Sequence, residues 1–244
     1  MGVQAAQALI ALSLVAAATA SPAEERPFVM AGTAIREEDD ERVFELASGV
    51  ERAGRAQAVV TQLEYSIVPS FSVEIGWGRR LGHDDDGQRE TELQAGLRYV
   101  WRDPARHAIG AALTLEVEGS RETSSDEPGR WRMERSTVAL PLSHAWTTWN
   151  GLAWAHLTVG AEHRRDQGTR PLIAAAGQVF VTRSLELFGE WGAVRERRSL
   201  AQAGLRWWIR RDKIALDFSA GQRRADGERV STAMLSLSLM DLAY

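Results

Sequence analysis

The side chains alternate from residue 42 onward, and that period of two constrains the fold more than any other feature of the chain. In Phe71-Ser72-Val73-Glu74-Ile75-Gly76-Trp77-Gly78, the residues Phe71, Val73, Ile75 and Trp77 share one face, and Ser72, Glu74, Gly76 and Gly78 share the other. Successive side chains of an extended strand point to opposite sides, which produces this separation. The pattern recurs with Leu93, Ala95, Leu97, Tyr99 and Trp101 against Glu92, Gln94, Gly96 and Arg98. It recurs again with Ile109, Ala111, Leu113, Leu115 and Val117 against Gly110, Ala112, Thr114, Glu116 and Glu118. A helix would bring Leu113 and Glu116 to the same side and scramble it.

Twelve segments read this way: about 42–50, 56–67, 71–80, 91–101, 107–118, 134–146, 151–163, 170–181, 185–195, 199–210, 213–223 and 229–240. Most are longer than the roughly 5–6 residues usual for soluble strands, and they match the roughly 9–11 that a tilted strand needs to cross a bilayer. Short turns fall at Val68–Ser70, Arg102–Arg106, Thr147–Asn150, Thr182–Ser184 and Arg211–Asp212. Mostly longer polar loops lie between them, at Leu81–Glu90, Gly119–Met133, Arg164–Thr169 and Arg224–Glu228. Short turns at one end and longer loops at the other is the arrangement of bacterial outer-membrane barrels. The expected fold is all-β, an antiparallel up-and-down transmembrane β-barrel of about twelve strands, and the even count puts both termini in the periplasm. Phe71, Tyr99, Trp101, Trp146, Trp149 and Trp207 stand beside the short turns, with Trp77 and Trp191 farther along their strands, as expected of interfacial aromatic girdles. The competing reading is a soluble β-sandwich.

Ahead of the strands, Ala5–Ala20 carries no charge and ends in Ala18-Thr19-Ala20. This small-x-small pattern reads as a signal peptide over 1–20, although the first four residues hold no Lys or Arg. Residues 21–41, with Glu24-Glu25 and Glu37–Glu41, read as a flexible periplasmic lead-in to a barrel over 42–244. Export to the bacterial outer membrane and contact with its lipid follow from these readings.

Composition removes other classes. With 29 basic and 33 acidic side chains the formal charge is −4, which argues against a nucleic-acid partner. The absence of cysteine excludes disulfides, thiolate catalysis and Cys-based zinc sites. No cofactor or metal is expected. The loop around His83 (Gly82–Gly87) is rich in aspartate, but its spacing does not fit an EF-hand and it reads as a solvated surface loop. His107, His144 and His163 fall near strand ends or outward. His156 points inward, yet no serine stands at a readable spacing to it, as a hydrolase would need. No Gly-x-Ser-x-Gly, Walker or GxGxxG pattern occurs. No catalytic residue is assigned, and the chain is not expected to be an enzyme.

The inward face carries the candidate functional residues Glu64, Glu74, Glu92, Arg98, Glu116, Glu118, Glu162, Glu186, Glu190, Arg206 and Asp217, with Glu45 of the same parity. Acids outnumber the inward bases (Arg80, Arg98, Arg206 and, at the rim, Arg210), so an open passage is expected to favour cations, or neutral solutes over anions. Pro141 lies within a strand pattern and should mark a bulge or interruption. Leu235, Leu237 and Leu239 point outward, while Tyr244 has the opposite parity, so that either the strand bulges near Met240-Asp241 or its terminal assembly signal is weak.

The stretches TQLEYSIVPSFSVEIGWGRR, TELQAGLRYVW, SLELFGEWG, AGLRWWIRRDKIALDFSAG and AMLSLSL resemble outer-membrane barrels of the meta-pathway phenol-degradation/transporter type. The resemblance spans about 42–240 and rests on strand and turn style. It implies a channel or transporter and lends no catalytic residues and no solute. The expected function is therefore a narrow channel or transporter for an unidentified small solute. The alternatives are a closed structural or surface-interaction barrel and a membrane-embedded lipid hydrolase.

Overall fold

The computed structural model describes Met30, Ala31, Thr33, Ala34 and residues 43–54, 56–81, 89–104, 106–123, 129–225 and 227–243. The signal peptide expected over 1–20, most of the lead-in over 21–41, and His83 lie outside the described residues.

Among the described residues the chain forms twelve strands: β1 (Val43–Ala53), β2 (Ala56–Val68), β3 (Phe71–Leu81), β4 (Arg89–Arg102), β5 (Gly110–Thr123), β6 (Arg132–Thr148), β7 (Gly151–Arg164), β8 (Gly168–Phe180), β9 (Leu185–Val194), β10 (Arg198–Arg210), β11 (Ile214–Ala225) and β12 (Glu228–Ala243). Each pairs antiparallel with its sequence neighbours, and β1 pairs with β12, so the sheet closes into an up-and-down barrel without edges. Closure satisfies every strand's backbone ladder internally, the condition for β structure to lie in lipid.

The two faces separate as the period of two requires. Outward side chains are large and apolar: Ile75, Leu97, Leu115, Leu157, Leu187, Phe218 and Leu235 are all exposed. Aromatics flank this band, with Tyr99, Trp101, Trp146, Trp149 and Trp207 exposed near the end that carries the start of β1 and the end of β12. We call this the terminus end. Trp77 and Trp191 are exposed farther toward the other, loop end. Inward side chains are polar or small, and many are buried despite the barrel having a single wall.

Turn lengths at the two ends differ less than the sequence suggests. Gly119–Thr123 and Arg132–Met133 belong to β5 and β6 rather than to a loop, and β9 joins β10 at the loop end across only 195–197. Backbone pairing between hairpin strands needs no apolar side chains, so polar runs extend as strand. At the terminus end β5 starts at Gly110 rather than near 107, which lengthens the connection after Arg102.

The β5–β6 ladder pairs Ala111 with Leu142 and next pairs Thr114 with Ala139, so pairing lapses beside Pro141. Proline has no N–H to give there. On β12 the register against β1 shifts between the Leu46–Leu239 and Phe44–Leu242 pairs. One extra β12 residue is accommodated at Met240-Asp241, the bulge that the parity of the last strand calls for.

Four residues ahead of β1 do not form a loose lead-in. Ala31, Thr33 and Ala34 are buried within the barrel, with Thr33 and Ala34 at 0% exposure. Ala34 packs with Val100 and Ala112 near the terminus end. Met30 reaches mid-depth, where a Cβ on Gly192 would lie 3.0 Å from the Met30 Cβ. Gly192 and Gly110 leave room for this segment; a Cβ on Gly110 would meet the Ala34 carbonyl oxygen at 2.8 Å.

Candidate functional site: a divided lumen

The inward residues sort into two groups by depth. In the terminus-end half they are closely packed and buried. Arg206 on β10 stands between Glu186 on β9 and Asp217 on β11 in one cross-strand row. Its Nε donates to Asp217 Oδ1 at 2.6 Å and its Nη2 to Oδ2 at 3.0 Å, a forked pair with Arg206 2% exposed. Ser238 donates to the same carboxylate, and Trp208 Nε1 donates to Glu186 Oε2 at 3.4 Å. Phe180, Trp208, Ala215 and Met240 form an apolar cluster in this half. On the β2–β4 wall, Arg98 Nη2 donates to Glu64 Oε1 at 2.5 Å, and Ser72 donates to the same oxygen at 2.6 Å.

The segment ahead of β1 is stitched into this half. The backbone N–H groups of Met30 and Ala31 both donate to Glu190 Oε1, at 2.5 and 2.6 Å, while Gln202 donates to Oε2 at 2.8 Å. Ala34 N–H donates to Ser143 Oγ at 2.7 Å, and Arg98 Nη1 donates to Thr33 Oγ1 at 3.4 Å. A carboxylate accepting backbone N–H groups makes charge-assisted bonds, among the stronger kinds available to a protein. The segment thus occupies the lumen from the terminus end to mid-depth.

Ser143 and His156 correct the sequence reading. They are cross-strand partners on β6 and β7, with Ser143 Oγ 2.8 Å from His156 Nδ1. Their exposures are 1% and 3%. The pair lies under the bound segment, with Ser143 holding Ala34 and the imidazole stacked on Trp154 at 6.3 Å. The other histidines lie elsewhere: His144 and His163 are exposed and bonded to Ala108 O and Thr169 respectively.

Above the segment a cavity of about 430 Å³ opens in the loop-end half, with Met30 and Ala31 among its lining residues. Glu74, Glu92, Glu116 and Glu118 line it from β3, β4 and β5, and Gln94 donates to Glu74 at 3.2 Å. Arg135, Arg164 and Arg198 line it from β6, β7 and β10. Glu162, 0% exposed, lies behind these arginines and receives Arg198 Nη2 at 2.6 Å. Arg135 holds Glu116 at 3.1 Å and also Glu118. On the remaining wall Arg223 holds Glu51 at 2.5 Å.

The sequence-assigned residues therefore do not form one ring. Glu64, Glu186, Glu190, Arg206 and Asp217 belong to the buried half and to the seat of the segment, and Arg98 stands at the border, paired with Glu64 and lining the cavity. Glu74, Glu92, Glu116, Glu118 and Glu162 belong to the cavity. Sequence reasoning missed the cavity arginines. Arg135 shares parity with Ser143, Arg164 with Glu162, and Arg223 with Asp217; Arg135 and Arg223 lie within the expected segments 134–146 and 213–223 and Arg164 one residue past 151–163, so the alternation already pointed to them. Arg198 shares parity with Gln202 and Arg206, one residue ahead of the expected segment 199–210, whereas Arg197 follows a turn in which Glu196 has φ 60°, where parity is lost. Among the described residues, no group of three His, Asp or Glu side chains could hold a metal ion.

No protein-family profile and no curated protein matches the chain. Solved structures do. The KdgM porin in complex with disordered oligogalacturonate superposes with a TM-score of 0.55 at 8% identity, covering 80% of this chain and 98% of that one. An outer membrane channel from Pseudomonas putida F1 superposes with a TM-score of 0.51 at 11% identity, covering 89% of this chain and 100% of that one. The fold of the chain is thus that of the outer-membrane β-barrels to which such porins and channels belong.

Proposed function

We propose that the chain is a bacterial outer-membrane channel for small solutes, with the loop-end cavity as the solute's way in and the segment at 30–34 as the obstruction to its way through. The supporting observation is a charged cavity of about 430 Å³ inside an apolar-belted closed barrel, floored by a seated backbone segment rather than by wall side chains alone. Residues 1–20 act as the signal peptide and the terminus end faces the periplasm, in keeping with the order of strands and the aromatic girdles. The strand and turn style quoted above supports a relation to barrels of the phenol-degradation/transporter type, without assigning a solute.

The chain is not a hydrolase in this reading. Ser143 is engaged by Ala34 and both members of the Ser143–His156 pair are shut away from the cavity and from lipid. A closed structural barrel is the second reading, favoured by the matched ion pairs of the terminus-end half.

Planar-bilayer recording of the mature chain tests the choice. A small conductance that rises when residues 30–34 are deleted is expected. No conductance from either protein would establish the closed barrel instead. Lipid hydrolysis that is lost in Ser143→Ala would overturn the non-enzymatic reading.

A further inference from the structure

We propose that the arginine cluster at the loop end of the lumen binds the oxyanion group, carboxylate or phosphate, of a small solute. The proposal rests on the reading of the cavity as a solute path and names the chemistry that path selects. Four guanidinium groups converge on one buried carboxylate. Glu162 meets Arg198 at 2.6 Å, Arg197 at 3.4 Å, Arg164 at 3.5 Å and Arg135 at 3.8 Å. A carboxylate has about four lone-pair sites, whereas each guanidinium has about five N–H donors. One acceptor cannot satisfy four such groups.

The shortfall is visible. The Nε atoms of Arg135, Arg197 and Arg198 are buried without a hydrogen-bond partner among the described residues, and Arg164 Nε, also buried, faces Glu162 only at the 3.5 Å of its ion pair. Arg197 has a side chain only 5% exposed, and its Nη2 donates to the Gly168 carbonyl at 2.6 Å. A buried donor without an acceptor is destabilising, so a cluster with several of them is poised for an incoming acceptor.

Charge points the same way. Four arginines contact Glu162, Glu116 and Glu118, three acids in all, so positive charge is in excess and the acids are already held. A neutral solute would leave the excess charge unbalanced. An oxyanion supplies several acceptors in the forked geometry that guanidinium matches. At this cluster the charge runs opposite to the cation preference expected from counting inward acids, because most of the uncounted inward bases are these arginines, while Glu74 and Glu92 line the cavity away from it.

The test is calorimetric titration of the folded mature barrel, in neutral detergent at fixed ionic strength, with sodium acetate, with inorganic phosphate and with acetamide. Saturable binding of acetate, phosphate or both, with none of acetamide, is expected, and the two salts distinguish the two oxyanion classes. Glu162→Gln removes the internal competitor and should tighten binding by about tenfold. Arg135→Gln with Arg198→Gln should weaken it by at least about tenfold. Heat-modifiable gel mobility reports whether each variant folds, and Arg198→Gln alone serves if the double variant does not. Absence of saturable binding to the parent protein, or equal binding after loss of the arginines, overturns the site. Conduction in a bilayer without oxyanion binding overturns this proposal and leaves the channel reading standing. Binding without conduction supports the site and overturns the channel.

Discussion

In the terminus-end half of the lumen, Arg206 meets Asp217 through two hydrogen bonds and both are about 2% exposed. In the loop-end half, Arg135, Arg164, Arg197 and Arg198 share Glu162, and three of the four line open space. The residue types are the same and the stoichiometry is not. Where Arg206 stands between two acids, its guanidinium forks onto Asp217, Trp208 donates to Glu186, and side chains close the lumen. Where arginines outnumber the acids they touch, donors remain and the lumen stays wet. The segment at 30–34 marks the border, with Met30 facing the cavity and Ala34 set in the closed half.

The largest effect should come from breaking a matched pair. Arg206→Ala leaves Asp217 buried without its guanidinium, and such losses cost about 3–5 kcal/mol. Thermal or urea unfolding in detergent should show a fall of that order. A fall no greater than that of Arg198→Gln would erase the distinction between the halves.

A substitution on the outer wall asks whether the contrast concerns the interior at all. Leu97 is 43% exposed on the apolar belt, and Arg there should cost about 2–4 kcal/mol. Thr114→Arg, on the inner wall beside the cavity, should cost less. The reverse order in folding titrations would invert the assignment of the two faces.

Smaller effects probe the border and the cavity. Ser143→Ala removes the acceptor of the Ala34 N–H, a loss of about 1 kcal/mol in seating the segment. Limited proteolysis should cut near residue 34 faster in that variant, while the barrel core persists. Arg198→Gln should change stability by about 1 kcal/mol or less, because Glu162 keeps three other arginines. A larger loss would mean that this cluster is structural, like the pair at Arg206.

The strands were legible because burial on one face only writes a period of two into every segment, and all twelve expected segments correspond to strands. Register was more legible than the sequence reading assumed. The turn at Trp149-Asn150 pairs Thr148 with Gly151, and counting back along both strands brings Ser143 opposite His156. The seated segment was not legible. Met30, Ala31, Thr33 and Ala34 show no periodicity, and their partners Glu190 and Ser143 lie more than a hundred residues away in sequence. Such a contact depends on barrel closure, which no local pattern encodes. The arginine cluster was mostly legible, since Arg135, Arg164 and Arg198 follow the parity of their strands whereas Arg197 follows a turn that breaks it.

The central claim is that the lumen is open to solvent above the 30–34 segment and closed beside it. The native chain has no cysteine, so single cysteines report this directly with a charged thiol reagent. Cysteine at Thr137, which lines the cavity, should label rapidly. Cysteine at Ala112, 0% exposed against Ala34, should label slowly from either side and become reactive when residues 30–34 are deleted. Labelling of Ala112→Cys as fast as Thr137→Cys in the full mature chain would contradict the account.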